Sequence, residues 1–306
     1  MVYRFLGMEE LASTRDKLLY ITSTAPHEAA AYNAATLPAK DWPSKGSVQV
    51  TDLVVRYAPH LDPVLKGISF SCKPGEKLGV VGRTGAGKSS LMLGLTRLLE
   101  LDSGVVRIDD IDVSTLGVRD YRERLTVISQ EPLFFSGSVR QNLDPFNTYS
   151  DEKIWTALGQ AELADTIMQL PQQLNYYIAE LGANMSIGQL QLLSLARAIL
   201  QQPTVMLMDE ATASLDLMTD RLIQKTIRLH FHNATVIQVA HRLDTVIDSD
   251  RVLVLDQGLI VEQGSPHQLL QDTAGIFYGM VQKSDGDAQR LTSEAATAHR
   301  RRENQS

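Results

Sequence analysis

The chain has 306 residues, 43% hydrophobic and 21% charged, enough for one sizeable core of about 240 residues with tails, or for two small domains. A formal charge of −7 argues against a protein that works by neutralising nucleic-acid phosphates. A single cysteine, Cys72, excludes an internal disulfide and a cysteine metal cluster and points to a reducing compartment, while no apolar run approaches the ~18 residues that span a bilayer.

Residues 1–46 mix a helical opening (Leu6, Leu11, Leu18, Leu19) with the Pro- and Ala-rich PHEAAAYNAATLPAKDWPSKG, and read as a linker. MVYRFLGMEELASTR has early charges and no apolar stretch of the kind a signal peptide needs. From Val48 the pattern turns β-branched. SVQVTDLVVRY and GISFSCKPGEKLGVV predict strands broken by a Pro-Gly turn, and GVVRIDDIDV predicts a hairpin around Asp109 and Asp110, together an antiparallel layer. Between 133 and 202 apolar residues recur three and four apart, predicting helices that end at Pro203. TVMLMD and ATVIQVAH then read as buried strands of a parallel sheet, joined by the helical DRLIQKTIRLHF. The tail from 284 to 306 is polar and without period, and is expected to be disordered.

GRTGAGKS, Gly82 to Ser89, follows the apolar KLGVV and precedes LMLGLTRLL. The spacing matches G-x-x-x-x-G-K-[ST], a P-loop, in which small residues such as Gly85, Ala86 and Gly87 let successive N–H groups turn towards a nucleotide's phosphates. Lys88 is placed to reach the β- and γ-phosphates and Ser89 to offer its hydroxyl to Mg²⁺, while the helix start around Ser90 adds its positive dipole end. Thr84 lies within the same loop. A P-loop needs an acid at the end of a buried strand to complete the metal site. TVMLMDE supplies Asp209 for that role and Glu210, one residue out, to polarise an attacking water. Without the P-loop, the pair would read equally as a polar strand end.

Together these residues resemble the nucleotide-binding domains of ABC transporters, over roughly Val48 to Lys283. GANMSIGQLQLL looks like that family's signature sequence, which in the family caps the γ-phosphate held by a partner domain's P-loop, two domains closing head to tail on ATP. The resemblance assigns the contacts to Ser186, the N–H groups of Ile187 and Gly188, and Gln189; by itself the segment is an ordinary helix N-cap. It also implies that Tyr57 stacks on adenine, that Gln130 in VISQEPLFF touches Mg²⁺ or water and senses a membrane domain, that Asp216 in the D-loop SLD crosses to the other site, and that His241 meets the γ-phosphate.

SGSVRQNLDPF and YSDEKIWTAL are similar to the C subfamily, the multidrug-resistance-associated proteins, and to their second, C-terminal nucleotide-binding domain; the linker-like opening fits as well. Ile187, where most of the family has glycine, and Leu190 depart from the common signature. The resemblance therefore implies an α/β P-loop NTPase with a RecA-like core, an antiparallel β subdomain and an α-helical signature subdomain over 47–283. It implies MgATP hydrolysis driving export, with a complementary nucleotide-binding domain and transmembrane domains as partners and no nucleic acid, at the cytosolic face of a membrane. The chain as given is expected to be soluble, without membrane helices of its own. Two rivals share the motifs: a soluble ABC ATPase outside transport, and a regulator that binds ATP with little turnover.

Overall fold

In the computed structural model, residues 28–130, 132–209, 217–240, 242–284 and 287–303 are described; the predicted helical opening before residue 28 lies outside them. The predicted antiparallel layer is a sheet of order β2-β1-β4-β5, formed by β1 (Val48–Val55), β2 (Leu65–Cys72), β4 (Ser103–Ile108) and β5 (Ile111–Asp112). Its period of two holds on each side of a bulge at Thr51 and Asp52: Val48 and Val50, then Leu53 and Val55 of β1 are buried, while Gln49 and Asp52 face out. The hairpin at Asp109 and Asp110 closes with Ile108 opposite Ile111.

A second sheet has order β12-β11-β3-β10-β9-β6, from β3 (Lys77–Gly82), β6 (Thr126–Ile128), β9 (Val205–Asp209), β10 (Thr235–Val239), β11 (Arg251–Asp256) and β12 (Leu259–Gly264). All its pairings are parallel except β11 with β12, and the short β7 (Gly137–Ser138) and β8 (Tyr177–Ile178) pair antiparallel as a third sheet. Neighbouring residues of one strand serve two cores, because successive side chains leave a strand on opposite faces. Leu207 packs with Leu78, Val80 and the inner face of the antiparallel sheet, joined by Leu91 and Leu95 of helix α1 (Lys88–Leu95). Met206 and Met208 pack instead under α2 (Asp151–Gln160) and α3 (Ile187–Gln201), through Ile154, Leu158, Leu193 and Ala196. The mixed sheet is thus the shared middle layer. Helix α4 (Leu217–His230) connects β9 to β10, as the sequence predicts for a parallel crossover.

Two segments carry more structure than their composition announces. The tail from 284 is not disordered over its described part: α6 (Ala288–Glu303), which follows α5 (Ile276–Gln282), buries Leu291 and Ala295 against Ala240, Val246 and Ile247. Only two of its sixteen residues are buried, too few to produce a hydrophobic period against the polar background. Residues 28–46, assigned by composition to a linker, are docked on the domain. Trp42 is buried and donates its Nε1–H to the Ile108 carbonyl (3.0 Å), and the Ala30 and Ala31 carbonyls accept from Val118 and Arg119.

Asp109 fastens this strap, its carboxylate accepting from the backbone N–H groups of Ser44, Lys45 and Ser47, each at 2.8 Å. Partial burial raises its pKa, but these donors outweigh that and hold it below the usual carboxylate range. A depressed folded pKa contributes stability that is present above the unfolded value of about 3.9 and is lost as pH falls through the folded one. Asp109→Asn is therefore expected to lower the unfolding free energy at pH 7 by about 1 kcal/mol. The difference from wild type should shrink towards pH 2, as urea melts at both pH values would show.

Cys72, closing β2, is buried in the same core, and burial first, then Glu76, pushes its thiol up to about 12 against a lowering by Arg251.

Candidate functional site

The parallel register brings three strand ends to one edge. Val239 stands opposite both Val80 and Asp209, so the chain leaves β3 at Gly82, β9 at Asp209 and β10 at Ala240 side by side. The carboxyl edge of a parallel sheet is where an α/β fold presents its loops to a ligand.

From Gly82 the chain turns tightly into α1. A Cβ on Gly82 would lie 2.3 Å from the Leu255 carbonyl oxygen, and Gly87 has φ +104° with Leu65 Cδ2 2.6 Å from where its Cβ would be, so neither position accepts a side chain. Gly87 is the N-cap of α1 and offers no side chain to cap it. The first-turn N–H groups of Lys88, Ser89 and Ser90 therefore lack intrahelical partners and form a donor set. Ala86 N–H closes the turn onto the Arg83 carbonyl. Lys88 is only 5% exposed, and its Nζ donates to the carbonyls of Gly82 (2.8 Å) and Arg83 (3.2 Å). Ser89 and Thr84 are exposed at the mouth. Residues 82–90 contain amide donors, an ammonium and no carboxylate, a set that fits a polyphosphate.

Asp209 stands half-buried at the same edge, separated from the P-loop strand by β10. Gln130 lies two residues past the end of β6 on the same edge, its side chain exposed. A hydroxyl (Ser89), an amide (Gln130) and a carboxylate (Asp209) are hard oxygen donors suited to Mg²⁺, which keeps few protein ligands and fills its shell with phosphate oxygens and water. Among the described residues no group of three or more His, Cys, Asp or Glu side chains could hold a metal. Glu210, Asp216 and His241 lie outside the described residues.

Tyr57, just past β1, is 52% exposed and shares a hydrogen bond of 3.0 Å between its hydroxyl and Ser90 Oγ, which sets the ring beside the start of α1. If this ring is the adenine platform, Tyr57→Ala lowers nucleotide affinity by about 1–3 kcal/mol while Tyr57→Trp preserves it. Tyr57→Phe separates the hydroxyl's contribution. Equal affinities in the alanine and wild-type proteins, measured by calorimetry, would exclude the platform.

Ser186 caps α3 in a reciprocal box: its Oγ accepts from Gln189 N–H (3.2 Å) and Gln189 Oε1 accepts from Ser186 N–H (2.9 Å). Gln189 N–H is thereby satisfied, so Ile187 and Gly188 N–H remain as first-turn donors. Ile187 is 54% exposed. A residue that the sequence reading missed connects this helix to the sheet edge: Gln191, buried in α3, donates its Nε2–H to the Gln130 carbonyl at 2.7 Å. Its signal was a polar residue between Leu190 and Leu192 on an inward face.

A P-loop entering a helix at the carboxyl edge of a mostly parallel sheet, with an acid ending the next strand but one, defines a P-loop nucleotide-binding domain. Comparison with known proteins narrows this. The family described as ABC transporter matches residues 65–213. ATP-binding cassette sub-family C member 2 of Homo sapiens is 53% identical over 247 residues, covering 81% of this chain and 16% of that protein. ABC transporter C family member 7 of Arabidopsis thaliana is 46% identical over 272 residues, covering 89% and 18%. A solved structure, that of a bacterial Atm1-family ABC exporter with ATP bound, superposes with a TM-score of 0.80 at 31% identity over 93% of this chain and 49% of that one. Residues 65–213 thus carry an ABC transporter domain, and these curated relatives of the chain are of the C subfamily. The chain spans less than a fifth of their length.

Proposed function

We propose that this chain is the second, C-terminal nucleotide-binding domain of an exporter of the multidrug-resistance-associated type, binding MgATP and hydrolysing it to ADP and phosphate. The observation that carries the reading is the convergence of Gly82–Ser90 with Asp209 at one sheet edge, in a chain 53% identical to a C-subfamily protein. Lys88 and the first-turn N–H groups of α1 hold the β- and γ-phosphates. Ser89, Gln130 and Asp209 hold Mg²⁺, which supplies charge neutralisation on the phosphates when bound. Glu210 orients the water for in-line attack, and His241 hydrogen-bonds the γ-phosphate. Asp216 reaches the second nucleotide across the dimer, whose site is capped by Ser186, Gly188 and Gln189.

A partner through the Gln130 region is supported by exposed apolar side chains that follow it in sequence, Leu133, Phe135 and Phe146. Among the described residues no helix is long and apolar enough to cross a membrane. In this reading transmembrane domains dock there and the chain stands at the cytosolic face. The deciding experiment measures phosphate release and ATP-dependent association of this domain with a complementary nucleotide-binding domain. ATP-dependent association with turnover supports the reading. Binding without turnover favours a regulatory domain, and turnover without a need for the partner favours a soluble ATPase.

A further inference from the structure

The proposed mechanism makes no use of the chain's last helix, yet that helix grips the segment that follows His241. Leu291 and Ala295 of α6 are buried with Ala240, Val246 and Ile247. From the same face Arg290 donates to Asp244 Oδ1, and also to Asp287 (3.0 Å) and Glu294 (2.9 Å). Asp244 belongs to the short 3-10 turn Leu243–Thr245, which begins two residues after His241. At the other end of α6, Arg302 pairs with Asp250 (2.6 Å), whose second oxygen accepts from Lys77 N–H (2.8 Å) at the start of β3. The helix therefore clasps the stretch 244–250 at both ends and ties it to the strand that leads into the P-loop.

Beside the turn, Arg242 also reaches Asp244, at 3.4 Å. Asp244 also borders two open grooves, one lined by Arg83, Met280 and Lys283, the other by Arg221, Gln224 and Lys225. Arg290 comes from another element and bridges that open side. We propose that Arg290 is a positioning residue for ATP hydrolysis: by holding Asp244 it fixes the turn that follows His241 in the chain, and so where the imidazole stands when a γ-phosphate is in the P-loop. The inference rests on the hydrolytic reading above. Arg290 is 43% exposed, and exposed ion pairs add little to folding stability. The effect is therefore expected in the geometry of the turn.

The test uses the full-length transporter in detergent or vesicles. Arg290→Ala is expected to lower kcat for ATP roughly tenfold with KM within about twofold of wild type, since a misplaced group costs turnover more than ground-state binding. Asp244→Asn should give a similar loss, and the double variant Arg290→Ala/Asp244→Asn no more than either alone, because both remove one contact. Arg290→Lys, which keeps a charge for Asp244, should recover most of kcat. Amide exchange at Thr245, Val246 and Ile247 should quicken in Arg290→Ala while the thermal midpoint holds. A wild-type kcat in Arg290→Ala overturns the inference. So does a kcat loss in which KM and the thermal midpoint move too and lysine gives no recovery, which would mark a structural role. No ATP turnover in the wild-type transporter would remove the hydrolytic reading itself, and the exchange rates would still report whether Arg290 holds the turn.

Discussion

Glu210→Gln should leave MgATP binding intact and cut turnover by about 10² to 10⁴. The residue follows Asp209 at the open end of β9, one step beyond the acid proposed for the metal. Glutamine preserves its size but cannot polarise a water or take up its proton. Lys88→Ala is the opposite case. Its Nζ lies in the fold of the P-loop within 3.2 Å of two loop carbonyls, and in the proposed reading its ammonium acts on bound phosphate before any chemistry. Losing one charge-assisted contact of about 1.5–3 kcal/mol weakens binding roughly ten- to a hundredfold. Titration calorimetry beside phosphate release separates the two. Equal loss of affinity in both variants would refute the division of roles.

Gly188→Asp should abolish ATP-dependent closure with the partner domain while sparing the chain's own affinity for MgATP. Gly188 is the second residue of α3, and the capping box leaves its N–H and that of Ile187 as first-turn donors. A carboxylate there suits the helix dipole, adding about 0.3–1 kcal/mol to the isolated fold. It would meet an incoming γ-phosphate with like charge. A Cβ at this position lies 3.3 Å from Thr219 Cγ2, so Gly188→Ala is the needed control for crowding alone. Sedimentation with and without ATP reads closure, and calorimetry reads the chain's own site. The signature reading fails if affinity drops in the isolated variant while closure persists.

The sequence carried the site more clearly than its surroundings. Gly82, Gly87 and Lys88 were legible because the backbone there has few alternatives: positive φ, a carbonyl at 2.3 Å and a turn into a helix leave glycine as the residue that fits. The β-α-β run from Val205 to Val239 was legible because strands buried on both faces read as unbroken apolar runs. What escaped depends on contacts between distant residues of ordinary local character. Asp109 reads as a hairpin turn, yet it gathers three N–H groups from a strap more than sixty residues earlier. Gln191 reads as one more residue of an amphipathic helix, yet it ties α3 to Gln130. In α6 only Leu291 and Ala295 mark the buried face, and the ion pairs of Arg290 and Arg302 that set where its ends lie leave no period in the sequence.

The placement of Cys72 makes it a clock. With its thiol buried and pushed up to about 12, almost no thiolate exists at neutral pH, and a water-soluble alkylating reagent has to wait for β2 to open. As the chain holds one cysteine, the labelling rate in mild denaturant follows the opening of the antiparallel sheet with no engineered probe. A second thiol introduced by Ile187→Cys, at an exposed position on α3, would react at once in the native protein. The two rates, read by mass in one sample, would show whether ATP steadies the β layer while the partner domain shields the head of α3.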